Sequence, residues 1–348
     1  MKTLRFSLGI FFIFLTLSGF GKEEFTKKYH EEYTINEKTT LQIENKFGDV
    51  KINNWDKNSI SIDVIITVEA SRQDKADKIF ESITVTLAQE GDIVKGITEI
   101  TDKINNTKFS IDYDIKTPKY ITLNLSNKFG DVFINEITGK SFIAVKYGSL
   151  DANKLISDNE KPLSELNLGY CDRATIKEFY WGKINIKYSK LNIDKSQALA
   201  IVSKYSRLEI QQVSSIVSEV GYDTYKIENI QNFVCVGKYS DISIEKLNKK
   251  LDLDIKYGGF KANSVPADFK SIKVNAKYAG INIGISPEAS YQLEADLEYA
   301  DFDFPSGGKI SKIKNDNDMK VSGTIGNKSN PEPSVYILSK YGNVDIEF

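Results

Sequence analysis

Apolar and polar residues alternate along most of this chain, and the alternation breaks at regular intervals beside one aromatic residue. Ile184 and Ile186 lead to Tyr188, Leu253 and Ile255 to Tyr257, and Ile272, Val274 and Ala276 to Tyr278. A period of two predicts strands with one buried face, and the parity assigns the aromatic to that face. A small residue follows, usually Gly, Ser or Ala. The next apolar positions are three and five residues past the aromatic, as in Leu191 and Ile193, Leu208 and Ile210, and Ile281 and Ile283. The parity has therefore flipped, which predicts a corner or bulge at the small residue.

This unit recurs. Its aromatics are Phe47, Phe129, Tyr147, Tyr170, Tyr188, Tyr205, Tyr222, Tyr239, Tyr257, Tyr278, Tyr299 and Tyr341. From Phe129 to Tyr299 they are spaced 17 to 23 residues apart, and the last gap of 42 reads as two steps with one degenerate copy between. A unit of strand, corner, strand and turn cannot bury its apolar face alone, whereas stacked units share a continuous core. The expected fold is all-β: a parallel β-solenoid over residues 121–348. An antiparallel meander is the competing geometry. The coil is favoured because the corners seldom carry the Asn-Gly or Asp-Gly pair of a tight hairpin. Lysines at the outward positions disfavour a lipid-facing barrel.

Residues 22–120 are β-rich and less repetitive, and are expected to cap the stack. Candidate strands are Leu41–Asn45, Ser59–Glu69, Ile83–Ala88, Phe109–Ile115 and Ile121–Leu125. One helix is predicted from Arg72 to Glu81, with Ser71 as N-cap and Ala76, Ile79, Phe80 and Ile83 on one face. Thr117-Pro118 should end a strand.

Residues 1–21 read as a signal peptide: basic Lys2 and Arg5, a short apolar run from Phe6 to Phe20, then small residues at Ser18, Gly19 and Gly21. The sequence thus points to an exported protein of the periplasm, cell surface or extracellular space, with no transmembrane segment in the mature chain. Cys171 and Cys235 fall at different places in the repeat. They are expected to be buried small hydrophobes rather than a bridge. The net charge of −2 over 348 residues gives no global attraction to nucleic acid.

Candidate chemistry is sparse. The single histidine, His30, removes any His-dependent triad or His-rich metal site and is expected at the surface. Asn315-Asp316-Asn317-Asp318 lacks the ligand spacing of a calcium loop and reads as a solvated loop. No cofactor motif occurs. The notable surface feature is lysine, which precedes the aromatic at positions 46, 128, 146, 187, 204, 238, 256, 277 and 340. Stacked units would align these into columns. Two charges 5 Å apart in water repel by only about 0.8 kcal/mol, so the column does not itself demand a ligand. Asp49, Asp131, Asp172, Asp241 and Asp301, two places after the aromatic, could offset it. The candidate binding residues are Lys187, Lys204, Lys238, Lys256 and Lys277. Their candidate partner is an anionic envelope or host polysaccharide, or another envelope protein. The functional expectation is a non-catalytic, adhesin-like or scaffold protein. The alternative is a carbohydrate-active β-helix enzyme of the polysaccharide-lyase kind, working with carboxylates and amines.

Three stretches carry a resemblance: LQIENKFGDVKINNWDKNSISIDV (41–64), DIKTPKYITLNLSNKFGDVFINEITG (114–139) and GTIGNKSNPEPSVYILSKYGNVDIEF (323–348). Their Phe-Gly-Asp-Val corners, the Pro before a strand and the Gly-rich lead into a final Tyr-Gly strand resemble the bacterial "putative adhesin" domain family. That resemblance implies a β-solenoid-like fold and an exported location, and brings no catalytic residues with it. The middle of the chain departs from the pattern, with Ser, Ala, Cys or Asp at the corner glycine.

Overall fold

The computed structural model describes residues 23–105 and 107–348, and the expected signal peptide lies outside them. The protein is nearly all β, mostly in parallel ladders. It forms two compact units, one running to Lys154 and the other spanning Leu155–Phe348. No helix among the described residues is long and apolar enough to cross a membrane.

The first unit contains β1 (Glu23–Thr34), β2 (Thr40–Lys46), β3 (Val50–Asn54), β4 (Ser59–Ala70), α1 (Gln73–Glu81), β5 (Ile83–Glu90), β6 (Ile93–Ile100), β7 (Lys108–Thr117), β8 (Thr122–Lys128), β9 (Val132–Ile137), β10 (Ser141–Lys146) and β11 (Leu150–Leu155). Strands β2 and β8 run parallel with Leu41 beside Leu123, and β3 and β9 with Val50 beside Val132. The copies at Phe47 and Phe129 are therefore neighbouring rungs, although 82 residues separate their anchors. On their other side β6 and β7 add one more parallel rung. Beyond it the pairing turns antiparallel, β5 on β6 and β4 on β7, with β1 outermost on β4. Every predicted strand of this region is present. The helix begins one residue late: Arg72, not Ser71, is the N-cap, its backbone is extended and no side chain caps it. Ala76 and Phe80 are its buried residues.

The second unit contains β12 (Ser164–Gly169), β13 (Ala174–Phe179), β14 (Trp181–Lys187), β15 (Lys190–Lys204), β16 (Arg207–Gly221), β17 (Thr224–Val265), β18 (Ser271–Ile285), β19 (Tyr291–Glu298), β20 (Phe302–Asp303), β21 (Gly308–Asn315), β22 (Asp318–Ile325), β23 (Ser334–Lys340) and β24 (Val344–Glu347). Neighbouring repeats run parallel and in register, so the meander is not formed. Ala174, Leu191, Leu208 and Tyr225 make one buried column, and Ile176, Ile193, Ile210 and Ile227 another. Cys171 and Cys235 are buried free thiols, as expected.

The C-terminal end corrects one expectation. The 42-residue gap holds no degenerate rung. It holds the antiparallel hairpin β21–β22, which pairs on β19. Asp316-Asn317 is its two-residue turn, with Asp316 at φ 39°. The last strands then thread backwards: β23 lies between β18 and β19, and β24 between β18 and β20, all parallel. The final repeat is thus the next-to-last rung.

The corner itself corrects another. All twelve anchor aromatics have positive φ, from 50° to 62°, and are 38–52% exposed rather than buried. Around Tyr188, Lys187 and Tyr188 both point outward while Ser189 and Leu191 point inward. The parity flip is real, but it occurs at the aromatic and not after it. A bulky residue in the left-handed region is strained by roughly 1–2 kcal/mol. Ring stacking worth about 0.5–1.5 kcal/mol per pair offsets this.

The residue after the ring is small for a different reason. A Cβ on Gly130 would lie 1.9 Å from the Gly48 carbonyl oxygen, and one on Gly148 2.0 Å from that of Gly130. Where Ser stands instead, its hydroxyl joins the rungs. The Ser189 Oγ accepts from the Cys171 N–H at 2.9 Å and donates to the Lys187 carbonyl at 2.8 Å.

Candidate functional site: the tyrosine and lysine face

In the second unit nine corner tyrosines stack in the order Tyr170, Tyr188, Tyr205, Tyr222, Tyr239, Tyr257, Tyr278, Tyr341, Tyr299. Centroids are 4.8 to 5.1 Å apart and planes within 18° of parallel. The parallel strand spacing imposes that repeat. Each ring covers the face of its neighbour, so solvent meets ring edges and hydroxyls. A sugar cannot stack face-on within the row.

Beside the rings runs the lysine column. Register pairs Lys187 with Lys204, both Lys204 and Lys238 with Gly221, Lys256 with Lys277, and Lys277 with Lys340. All five predicted residues, Lys187, Lys204, Lys238, Lys256 and Lys277, are exposed. Lys204 Nζ lies 5.2 Å from the Tyr205 ring centre and Lys277 Nζ 5.5 Å from that of Tyr278, where a cation is attracted to the ring. The column ends where Lys340 pairs with Glu298, a contact that raises the Lys340 pKa through its hydrogen bond.

Two of the aspartates two places past the aromatic, Asp49 and Asp131, have a structural duty. Asp49 Oδ1 accepts from the Asp131 N–H, and Asp131 Oδ1 from the Ser149 N–H, both at 2.8 Å. They join the corners of successive rungs.

Under the corner of Tyr222, Asp223 stands where the neighbouring rungs have Ser206 and Ser240, and is 4% exposed. Its carboxylate accepts from Ser206 N at 2.7 Å, Gly221 N at 2.8 Å and Ser203 Oγ at 2.7 Å. The Tyr225 hydroxyl is 2.8 Å from that same Ser203 Oγ, which is already a donor, so Tyr225 donates to it. Burial raises the Asp223 pKa, against the lowering effect of its three hydrogen bonds. Burial also pushes the neighbouring Cys235 thiol up to about 12, so it is no nucleophile at neutral pH.

On the other side of the corner, a groove of about 780 Å³ brings Asp194, Glu209, Glu228 and Glu245 together with Lys226 and Lys246. Sequence reasoning did not single out this groove. It also missed four exposed valines, Val202, Val217, Val234 and Val236. Their signal was present: in IVSKY, IVSEVGY and FVCVGKY, apolar residues occupy both parities. His30 is exposed, with Nδ1 2.7 Å from Asp63 Oδ1.

No protein-family model matches the chain, and no curated protein matches it. Solved structures do align with it. A "putative adhesin" from Parabacteroides distasonis is 9% identical, with a TM-score of 0.30, over 92% of this chain and 97% of that one. One from Bacteroides fragilis is 11% identical, with a TM-score of 0.29, over 92% and 96%. A "putative cell adhesion protein" from Clostridium sporogenes is 10% identical, with a TM-score of 0.17, over 92% and 99%. Each of these alignments covers 92% of the chain.

Proposed function

We propose that this is a non-catalytic, exported envelope protein of adhesin-like or scaffold type, built as a parallel β-solenoid. Its tyrosine and lysine face holds a linear anionic polymer such as an acidic polysaccharide. The observation that carries the reading is the repeat itself: along the column, most rungs offer one ammonium group and one ring edge about 5 Å from the next. A surface with one-dimensional periodicity suits a ligand with the same property. The polymer would lie across the strands, with Lys187, Lys204, Lys238, Lys256 and Lys277 as contacts. Replacing Lys204, Lys238 and Lys256 together by Gln is expected to lower the salt concentration at which the protein leaves an acidic-polysaccharide column. Unchanged retention would overturn the reading.

The carboxylate groove beside Lys226 and Lys246 favours a second reading, a polysaccharide-cleaving enzyme. Shortening of an acidic polysaccharide on incubation, abolished by Glu228→Gln, would support it over the first.

A further inference from the structure

The outward residues five places before each ring form a column across the second unit, and its first seven rungs, before Tyr336 and Glu294, carry a pattern. In order they are Glu165, Lys183, Ala200, Val217, Val234, Asp252 and Lys273. The step from Val234 to Asp252 is the 18-residue offset that also stacks Tyr239 on Tyr257 and joins Asn263 to Glu245. The charges run negative, positive, three neutral, negative, positive. Read backwards, every sign is reversed.

That pattern is self-complementary. Rotating a second copy by half a turn about an axis parallel to the strands, through Val217, lays the two faces together. Val217 then meets its own symmetry mate and Ala200 meets Val234. Lys183 faces Asp252, and Glu165 faces Lys273, each pair occurring twice. In the neighbouring column, three places before the ring, Val202 meets Val236 and widens the apolar centre. Glu219 meets its own mate there, and in the column one place before the ring Lys204 meets Lys238 and Lys187 meets Lys256 about Gly221, so the paired carboxylates lie beside ammonium groups of both copies.

We infer that this face is a two-fold interface between copies of the chain, centred on Val217. Exposure supports it. Val217 is 60% exposed, Val202 51% and Val236 49%, a contiguous apolar patch of the kind that marks an interaction surface. Lys183, Asp252 and Lys273 are exposed and make no ion pair within the chain, among the described residues. Seven rungs by three outward positions span roughly 30 by 20 Å. That footprint approaches the roughly 800 Å² per partner of a standard interface. Isologous contact of this kind closes as a dimer and does not propagate. The inference is argued independently of polymer binding: the column lies about 13 Å along the strands from the lysines beside the rings, of which Lys204 and Lys238 border both faces.

Sedimentation equilibrium of the purified protein tests it. A dimer is expected. Val217→Lys should give monomer. Lys183→Asp and Asp252→Lys should each raise the dissociation constant at least about tenfold. The two reversals combined should restore the dimer. Within one chain those residues stand four rungs, about 19 Å, apart, so only a contact between copies can produce that rescue. Circular dichroism should show all variants folded, since every site is exposed. A wild-type monomer up to roughly 100 µM would overturn the proposal. So would a dimer indifferent to the single reversals, or a double variant that stays monomeric.

Discussion

The two units solve one problem in two ways. Each rung turns a corner on a left-handed aromatic, and each corner leaves backbone N–H groups one and two places past the ring that must find acceptors. In the first unit the residue after the ring is Gly, pressed against the carbonyl of the rung beside it, so the acceptor comes from the next position. Asp49 and Asp131 serve in turn, from outside. In the second unit Ser189, Ser206, Asp223 and Ser240 stand where the Gly was, and their oxygens accept from within. The Tyr341 corner, with Gly342 and Asn343, returns to the first scheme: Asn343 Oδ1 accepts from Asp301 N. An exposed side chain thus serves the N–H two places past the ring in one scheme, a buried one serves the N–H one place past it in the other, and the choice decides which positions tolerate change.

The largest effect should come from mixing the schemes. Gly130→Ala forces a Cβ into a carbonyl and should destabilise by about 3 kcal/mol or more. Ser206→Gly only removes a hydroxyl and should cost about 1 kcal/mol. Chemical denaturation of both variants tests this contrast, and equal losses would break the comparison.

Next in size is Asp223→Asn. Both carboxylate oxygens accept from N–H groups, so an amide NH₂ must oppose a donor, at a cost of about 2 kcal/mol. The variant should also change the pH response. The folded pKa of Asp223 is raised, so its favourable contribution is complete below the unfolded carboxylate pKa and is lost as pH rises through the folded value. The stability difference between wild type and variant, followed by denaturation across the acid range, should therefore shrink as pH rises. A constant difference would show that Asp223 does not titrate as its burial requires.

The smallest effect separates strain from stacking. Tyr222→Ala loses contacts to Tyr205 and Tyr239 but keeps the left-handed backbone. Tyr222→Gly loses the same contacts and relieves the backbone. Thermal melts should place the Gly variant about 1 kcal/mol above the Ala variant, the reverse of the usual order inside a strand. Ala above Gly would mean that the corners carry no strain.

Much of this was legible in the chain. Period-two alternation fixed the strands and the buried columns of Ile176, Ile193, Ile210 and Ile227, because a half-buried strand admits only one periodicity. The recurring corner favoured the parallel stacking, and the lysine before nine of the twelve rings was placed outward. What parity could not give was the side of the ring. One left-handed residue turns a side chain over, and in sequence Tyr beside Ile and Leu looks like core. The buried duty of Asn45 and Asn127, whose Nδ2 atoms donate to the Gly48 carbonyl, was likewise invisible, because the acceptor belongs to the corner and not to the pattern.

The sequence by itself determined the strands and the existence of a repeated corner, since these follow from local periodicity and the demand that each apolar face be covered. Only the tertiary structure decided which repeat neighbours which. The last strand lies inside the stack and Phe47 lies against Phe129 because near-identical rungs are interchangeable to local forces, and the order among them is settled by where the connecting segments can reach.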